Sequence, residues 1–441
     1  MEYQEHYSYR DLVKTSLPVA AMLLFTSIYG CVDGLFVSNL VGKKGFTAVN
    51  LVIPYLMFFG GFGFIFGSGG SALIGKLLGE GEKDRANRVF SSLTRAAFVT
   101  GIGISLLGIA FLPSATTFFG AKGGVRTEAL SYGRIYLLGT PFFVMQLMFE
   151  SLYSTAGKRK LGLYSTMICG VLNIILDAVL IGGCHLGIQG AAAATVFSQA
   201  TGALIPFFYF RGENDSCLRL VRCAFDGKSI IKACGNGLSE MVNNVTLSIV
   251  SMVYNVQLLK YGGNNAVSAY GVCMYTGFFF NAVLYGFITA VSPLISYHYG
   301  AENTDELKSL LKKCVVILMA ESVMVFGFAN LFNARLSAVF VGYDKTLLAL
   351  TVHGFKKFSL WFLANGLAVF GSCFFTALNN GVVSAKLSFL RVIGFQLPCG
   401  VLLPRWYGVD GIFIAVFVAE LLTIFLTAGF LLRYRKRYNY F

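Results

Sequence analysis

The residues best suited to chemistry in this sequence are four polar side chains inside otherwise apolar segments. They fall in three segments: Asp33 in GCVDGLFVSNL, Asn173 and Asp177 in NIILDAVLI, and Thr195 in GAAAATVFSQ. A spacing of four places Asn173 and Asp177 on one helix face. At 1.5 Å per residue, Asp33, Asp177 and Thr195 each lie about 10 Å below the same end of their predicted helices. Three helices therefore bring polar groups to one level, which predicts a shared site.

The chemistry that such a site offers is proton or cation binding. A charged side chain at membrane depth costs about 3 kcal/mol or more, and two neighbouring carboxylates cannot both stay ionised without a further penalty. The pair could hold a proton and release it when water enters, or it could bind Na⁺ together with the amide and hydroxyl oxygens. The plainer interpretation is that both carboxylates only hydrogen-bond neighbouring helices.

The composition indicates that these segments cross a membrane. Hydrophobic residues make up 56% of the chain and charged residues 13%, with a mean hydropathy of +0.68. Soluble domains are about 25% charged, so this chain cannot cover several soluble surfaces. We predict an all-α polytopic membrane protein with 12 transmembrane helices. They are expected near 13–38, 46–77, 88–113, 130–156, 162–183, 188–210, 235–259, 266–298, 312–332, 354–378, 383–403 and 409–432.

The basic residues predict the orientation of the chain. Its formal net charge is +14. Counted in the loops, the tails and the ends of the predicted spans, 23 Lys and Arg residues fall on the side of the N-terminus and 11 on the other side. The positive-inside rule then predicts cytoplasmic termini and a multi-pass location in the plasma (inner) membrane. The positive charge is thus a topology signal, and no nucleic-acid partner is expected.

An internal repeat appears when the chain is shifted against itself by 221 residues. The shift aligns SALIGKLLGEGEKD (71–84) with SPLISYHYGAENTD (292–305), and LGIQGAAAATVFSQ (186–199) with YGVDGIFIAVFVAE (407–420). Six spans per copy give both copies the same orientation, which is typical of transporters with a pathway between two lobes.

The repeat predicts the domain organisation. We expect a first six-helix lobe over residues 1–210 and a second, parallel lobe over 235–441. The charged stretch 211–234 is predicted to be a cytoplasmic linker that forms an amphipathic helix. In the first lobe, small residues recur every four positions at Gly67, Ser71, Gly75 and Gly79. They predict close helix packing inside that lobe.

The second lobe repeats the predicted helix pattern of the first lobe but not its charged residues. Shifted by 221, Asp33 falls on Tyr254 and Asp177 on Pro398. The candidates of this lobe are Glu240, Asn255, Arg391 and Glu420. For Arg391 and Glu420 we favour a buried ion pair over a ligand-binding role. Glu150 and His353 are expected near helix ends and in contact with solvent.

Several of these features together resemble the multidrug and toxic compound extrusion (MATE) family of the MOP flippase superfamily. They are Pro18 followed by VDGLFVSNLVGKKGFTAVNL, the glycine-rich second helix, NIILDAVLI and GIQGAAAATVFSQ. The resemblance covers nearly the whole chain. It implies a V-shaped pair of six-helix lobes and alternating access driven by H⁺ or Na⁺. The cargo it implies is organic cations and amphipathic drugs, exported in exchange for the ion.

The resemblance also implies site residues. The first-lobe cation site of the family corresponds to Asp33, Asn173, Asp177 and Thr195. Members with a second-lobe site use carboxylates on helices 7 and 10. Glu240 could take the first of these places, but the tenth predicted helix (FSLWFLANGLAVFGSCFF) contains no carboxylate. This departure favours coupling through the first lobe.

Other functions remain open at this point. A flippase for a lipid-linked saccharide would more often carry several basic residues in its cavity, whereas only Arg391 is plainly within a span and not assigned to either side. A major-facilitator transporter, as another secondary transporter, would show GxxxDRxGRR where this chain has GEGEKDRANRV. P-loop, HExxH and GxSxG motifs are absent, so we expect no enzyme. We expect a monomer with a small cationic or amphipathic substrate and no cofactor except the coupling ion.

Overall fold

The computed structural model describes residues 4–119, 121–342 and 344–440, which form helices joined by short turns. The first lobe contains α1 (Tyr9–Phe36), α2 (Lys43–Gly60), α3 (Phe62–Gly79), α4 (Lys83–Phe118), α5 (Gly123–Leu138), α6 (Thr140–Thr155), α7 (Arg159–Asp177) and α8 (Gly187–Arg211). The second lobe contains α9 (Gly227–Gly300), α10 (Thr304–Val341), α11 (Lys345–Phe358), α12 (Trp361–Ala377), α13 (Gly381–Phe389) and α14 (Leu397–Tyr438).

The helices supply the predicted number of membrane spans. Within the described ranges, eight helices are long and apolar enough to cross a membrane, or ten when the bent pairs α5–α6 and α11–α12 each count as one span. Two long helices contain a non-helical residue, Gly263 in α9 and Gly408 in α14. Dividing them there gives twelve spans, in agreement with the predicted all-α class. The predicted spans 46–77 and 130–156 are each two helices, because Gly61 and Gly139 interrupt them.

The backbone follows the 221-residue repeat closely. Positive φ angles, which L-residues rarely adopt, occur in matching positions of the two lobes. The matched pairs are Gly42 (91°) with Gly263 (65°), Gly81 (78°) with Glu302 (54°), and Gly187 (56°) with Gly408 (57°). The two lobes therefore turn at the same places, although their side chains have diverged.

Both chain ends lie on one side of the bundle, which we call the terminal side. The backbone N–H of Tyr7 donates to Glu306 Oε1 at 2.9 Å, and the ring of Tyr438 lies 5.7 Å from that of Tyr299. Tyr299 and Glu306 flank the turn between α9 and α10. The ends of the chain therefore meet beside one turn of the second lobe.

The segment between the lobes differs from the prediction. Residues 212–226 contain no helix, and α9 begins at Gly227, so the predicted amphipathic helix is wrong for most of the linker. The side chains of α4 satisfy the linker backbone instead: the N–H of Arg219 donates to Asn87 Oδ1 at 2.9 Å and that of Val221 to Ser91 Oγ at 2.8 Å. Leu218 is fully buried. This extended segment is thereby attached to the first lobe.

The lobes meet through glycines at the terminal side. A Cβ on Gly79 would overlap the carbonyl oxygen of Tyr297, and a Cβ on Gly300 would overlap that of Lys76. The predicted small-residue stripe is therefore only partly an intralobe contact. Ser71 Oγ contacts Thr155 Oγ1 of α6 at 2.7 Å in the same lobe, whereas Gly79 brings α3 against α9 of the other lobe.

Replacing Gly79 by alanine should destabilise the closed terminal side. The added methyl would meet a backbone carbonyl, which cannot rotate away, and overpacking of this kind costs about 1–3 kcal/mol. We expect a lower unfolding temperature and a longer distance between spin labels placed on the terminal ends of α3 and α9. The matched control is Gly103→Ala in α4, where a Cβ meets nothing within 4 Å. Equal unfolding temperatures and equal spin-label distances in the two variants would contradict the close crossing.

Candidate cation-binding site

Two π-helical segments follow the carboxylates that the sequence singles out. α1 passes into a π-helix at Val37–Val41, shortly after Asp33, and α7 does so at Ala178–Gly183, directly after Asp177. The N–H of Val37 donates to the carbonyl oxygens of Asp33 and Gly34. π-Helical turns are rare and occur often at functional sites, because they alter the direction of side chains. Each carboxylate residue therefore lies within about one helical turn of a π-helical segment.

The carboxyl groups of Asp33 and Asp177 lie within hydrogen-bonding distance of each other. Asp177 is fully buried. In the part of the chain that the structure describes, Asp33 Oδ1 and both oxygens of Asp177 receive no hydrogen bond. Two acceptors in contact, without a donor, are stable only when a proton or a cation lies between them.

The other two predicted site residues lie around this pair. Asn173 is buried one turn below Asp177. Thr195 on α8 is half-buried, donates to the Ala191 carbonyl at 3.0 Å and lies within hydrogen-bonding distance of the Tyr132 hydroxyl. The structure therefore brings the four first-lobe residues of the sequence analysis into one cluster.

Two further tyrosines and a glutamine belong to this cluster. Tyr132 and Tyr136 of α5 are buried close to Asp33. Gln199 Nε2 donates to the Tyr136 hydroxyl at 3.0 Å. The sequence analysis missed them, although Gln199 lies one helical turn from Thr195 and Tyr136 one turn from Tyr132. The signal was this i, i+4 spacing of polar side chains.

Glu150 lies five residues before the end of α6 and is half-buried, in agreement with the expected position near a helix end. Gln146 Nε2 donates to its Oε1 at 3.2 Å, and Tyr29 and Cys169 lie nearby. His353 does lie in an exposed position, with Nε2 3.1 Å from Asp410 Oδ1.

In the second lobe, by contrast, a buried carboxylate is paired with a buried arginine. Arg391 and Glu420 are both buried, and Arg391 donates to Glu420 from Nε at 2.9 Å and from Nη2 at 2.7 Å. Asn365 Oδ1 accepts from Arg391 Nη2 at 2.8 Å, and Gln396 Nε2 donates to Glu420 at 2.8 Å. This carboxylate is neutralised by a fixed guanidinium, so it needs no mobile cation.

The remaining second-lobe candidates are Glu240 and Asn255. Glu240 lies thirteen residues inside α9, within hydrogen-bonding distance of Asn243 and close to Arg391 and Tyr285. Asn255 is exposed, and its role in a site stays a prediction. Its neighbour Tyr254 is fully buried and donates to the Gln396 carbonyl at 3.0 Å. Successive helical residues point about 100° apart, which directs Asn255 away from the core.

A helical membrane bundle of two repeated lobes, with a carboxylate cluster inside one of them, is the architecture of a secondary transporter. The sequence profile of the MatE family matches residues 18–179 and 241–402. The chain therefore belongs to the MatE family of membrane transporters, and each match falls mainly in one lobe. The family resemblance drawn from the sequence is confirmed.

Individual relatives resemble the chain over nearly its whole length. Multidrug export protein MepA of Staphylococcus haemolyticus (strain JCSC1435) is 25% identical over 441 residues, which cover 99% of this chain and 96% of the relative. The MepA protein of Staphylococcus aureus (strain NCTC 8325 / PS 47) is 23% identical over 413 residues, with 93% and 91% covered.

Solved structures confirm the fold. The crystal structure of MATE in complex with MaL6 matches with a TM-score of 0.91 at 19% identity, over 98% of both chains. An outward-facing multidrug resistance MATE family transporter of the MOP superfamily matches with a TM-score of 0.91 at 20% identity, over 99% of this chain and 97% of that one. The predicted layout of 12 helices in two lobes is therefore correct.

The ion pair of the second lobe predicts an unusual order of stabilities. Removing one charge of a buried pair costs about 3–5 kcal/mol, because the other charge is left uncompensated. Glu420→Gln should therefore lower the unfolding temperature strongly, whereas the double variant Arg391→Gln/Glu420→Gln should unfold at a higher temperature than the single one. Thermal unfolding of the purified protein in detergent measures both. A double variant as unstable as the sum of its single changes would show that the two charges are not coupled.

Proposed function

We propose that this transporter is a cation-coupled antiporter that exports organic cations or amphipathic, toxic compounds in exchange for H⁺ or Na⁺. The observation that carries the proposal is the contact between the Asp33 and Asp177 carboxyl groups, which receive no hydrogen bond among the described residues. A buried carboxylate pair without a positive partner binds a proton or a metal cation far better than either group would alone.

The coupling site in this proposal consists of Asp33, Asn173, Asp177 and Thr195. The amide oxygen of Asn173 and the hydroxyl of Thr195 can complete a shell of oxygen ligands for Na⁺, or polarise a bound proton. Bringing a cation into the cluster removes the repulsion between the carboxylates, so ion binding changes the relative energy of the two access states of the lobe. A ligand with different affinities for two states shifts their populations, which is the physical basis of coupling.

The two lobes and the linker between them supply the moving parts. We assign residues 1–210 and 235–441 to the lobes, with 211–234 as the linker. We also assign the terminal side to the cytoplasm, because the basic residues between the spans favour it. In that orientation the glycine crossing of Gly79 and Gly300 closes the cytoplasmic entrance, and opening it would expose the cleft to cargo.

The cargo follows from the relatives and from the chemistry of the chain. The MepA relatives are named as multidrug export proteins, and 15% of the residues of this chain are aromatic. Aromatic faces attract cations and apolar rings with little directional demand. We therefore infer a small organic cation or amphipathic drug as cargo, with the monomer as the working unit and no resident cofactor.

Asp33→Asn and Asp177→Asn should each lower ion-driven transport about tenfold or more, because either change removes one charge of the pair. The measurement is uptake of a fluorescent cationic dye by proteoliposomes under an imposed H⁺ gradient and, separately, an imposed Na⁺ gradient. The matched control is Asp305→Asn, which neutralises an exposed carboxylate in the first turn of α10. Gradient-driven uptake at the wild-type rate in both site variants would refute the coupling role, and the two gradients identify the ion.

A further inference from the structure

The carboxylate pair is the upper end of a longer row of polar side chains. Five helices of the first lobe each contribute two polar residues at i, i+4 spacing, which places each pair along one helix face. We call these ten residues the polar column: Tyr29 and Asp33 of α1, Tyr132 and Tyr136 of α5, Gln146 and Glu150 of α6, Asn173 and Asp177 of α7, and Thr195 and Gln199 of α8.

The residues of the polar column extend from the carboxylate pair toward the terminal side. In four of these helices, one member of the pair lies a turn, about 5.4 Å, nearer the terminal side than a residue of the carboxylate cluster. α6 then continues the row: it follows α5 directly and ends at Thr155, whose side chain contacts Ser71 of α3. Glu150, five residues before that end, is therefore the carboxylate of the column nearest the terminal side.

Contacts connect the upper part of the column with Glu150. Gln199 Nε2 donates to the Tyr136 hydroxyl at 3.0 Å, and Gln146 Nε2 donates to Glu150 Oε1 at 3.2 Å. Tyr29, one turn below Asp33, lies near Gln146, Glu150 and Tyr136. Gly202 of α8 lets α8 approach Gln146, since a Cβ there would lie 3.0 Å from the amide carbon of Gln146. The row thus consists of two hydrogen-bonded pairs with Tyr29 close to both.

Three side-chain amide oxygens of the column lack a hydrogen-bond donor in the described part of the chain. Asn173 Oδ1, Gln199 Oε1 and Gln146 Oε1 are buried oxygens that receive no hydrogen bond within the described residues. Their side chains are only 2%, 7% and 6% exposed. An unsatisfied buried acceptor costs about 1–3 kcal/mol, and a row of them is satisfied by a cation or a hydrated proton. The amide groups of Gln146 and Gln199 are oriented by their donated hydrogen bonds.

We propose that Glu150 is the terminal-side station of a monovalent-cation path through the first lobe. The cation bound at Asp33 and Asp177 passes along the unsatisfied oxygens to the Glu150 carboxylate and leaves from there. When the cation is a proton, one aspartic acid loses it as the Glu150 carboxylate gains it, and the charge of the column is conserved. This inference rests on the proposed antiport and adds to it the exit route of the ion.

Glu150→Gln tests the path with two assays on the same proteoliposomes. Glutamine preserves the size of the side chain and can still accept from Gln146, so the fold should be retained. Gradient-driven dye uptake should fall about tenfold or more. Exchange of dye inside for dye outside, without any ion gradient, should stay within about twofold of the wild-type rate. Exchange uses only the substrate-loaded state, whereas driven uptake requires the ion to leave.

Two further variants separate the path from a structural role of Glu150. Glu150→Asp restores a carboxylate and should recover part of the driven uptake. Glu321→Gln removes another membrane-embedded carboxylate, in α10 of the second lobe, and should leave both assays near the wild-type rates. If driven dye uptake by the Glu150→Asp variant is no faster than uptake by the Glu150→Gln variant, the proposal is overturned.

The outcomes for the path and for the antiport differ. If an H⁺ or Na⁺ gradient drives dye uptake by the wild-type protein and by the Glu150→Gln variant equally, the proposed path is overturned but the antiport is not. A parallel loss of exchange and driven uptake in Glu150→Gln also overturns it, since this identifies a residue needed for the fold or for cargo. Wild-type uptake that responds to neither gradient overturns the antiport itself and the path with it.

Discussion

The hydrocarbon core of a membrane contains no water, and every polar group placed there must find its partner inside the protein. The backbone satisfies this constraint with helices, but the two lobes satisfy their charged side chains differently. In the second lobe, Arg391 holds Glu420 in a two-point ion pair. In the first lobe, Asp33 faces Asp177, and no donor among the described residues reaches their free oxygens. Arg391 thus supplies the cation for Glu420, and our proposal assigns the corresponding place in the first lobe to a cation from outside.

The two lobes contact each other partly through their backbones. Gly79 and Gly300 let the backbones of α3 and α9 touch, and beside them Lys76 Nζ lies 5.6 Å from the centre of the Tyr299 ring. Backbone contacts this close leave no room for an added side chain, since protein interiors are densely packed. In our proposal this crossing is the seal that opens during alternating access.

The sequence predicted the fold and the charged residues better than it predicted their surroundings. Hydropathy and the 221-residue repeat were sufficient for the twelve spans, because both are properties of the chain itself. The ends of the helices were harder: α9 begins at Gly227 only because side chains of α4 hold the linker in an extended form. Asn255, which is exposed beside the fully buried Tyr254, shows a second difficulty. Whether a polar residue faces lipid or the interior depends on helix rotation, which tertiary packing decides.

The comparison of equivalent positions shows how the two lobes diverged while keeping one frame. Tyr254 occupies the position of Asp33, and its hydroxyl is satisfied by the Gln396 carbonyl at 3.0 Å. A tyrosine satisfied by backbone has no need of an ion, whereas an aspartate facing another aspartate cannot be satisfied without one. In our proposal this difference leaves the ion to one lobe, while both lobes keep the helix path that the matching φ angles of Gly187 and Gly408 indicate. With Glu420 compensated by Arg391, the second lobe serves in this proposal as the counterpart against which the first lobe moves.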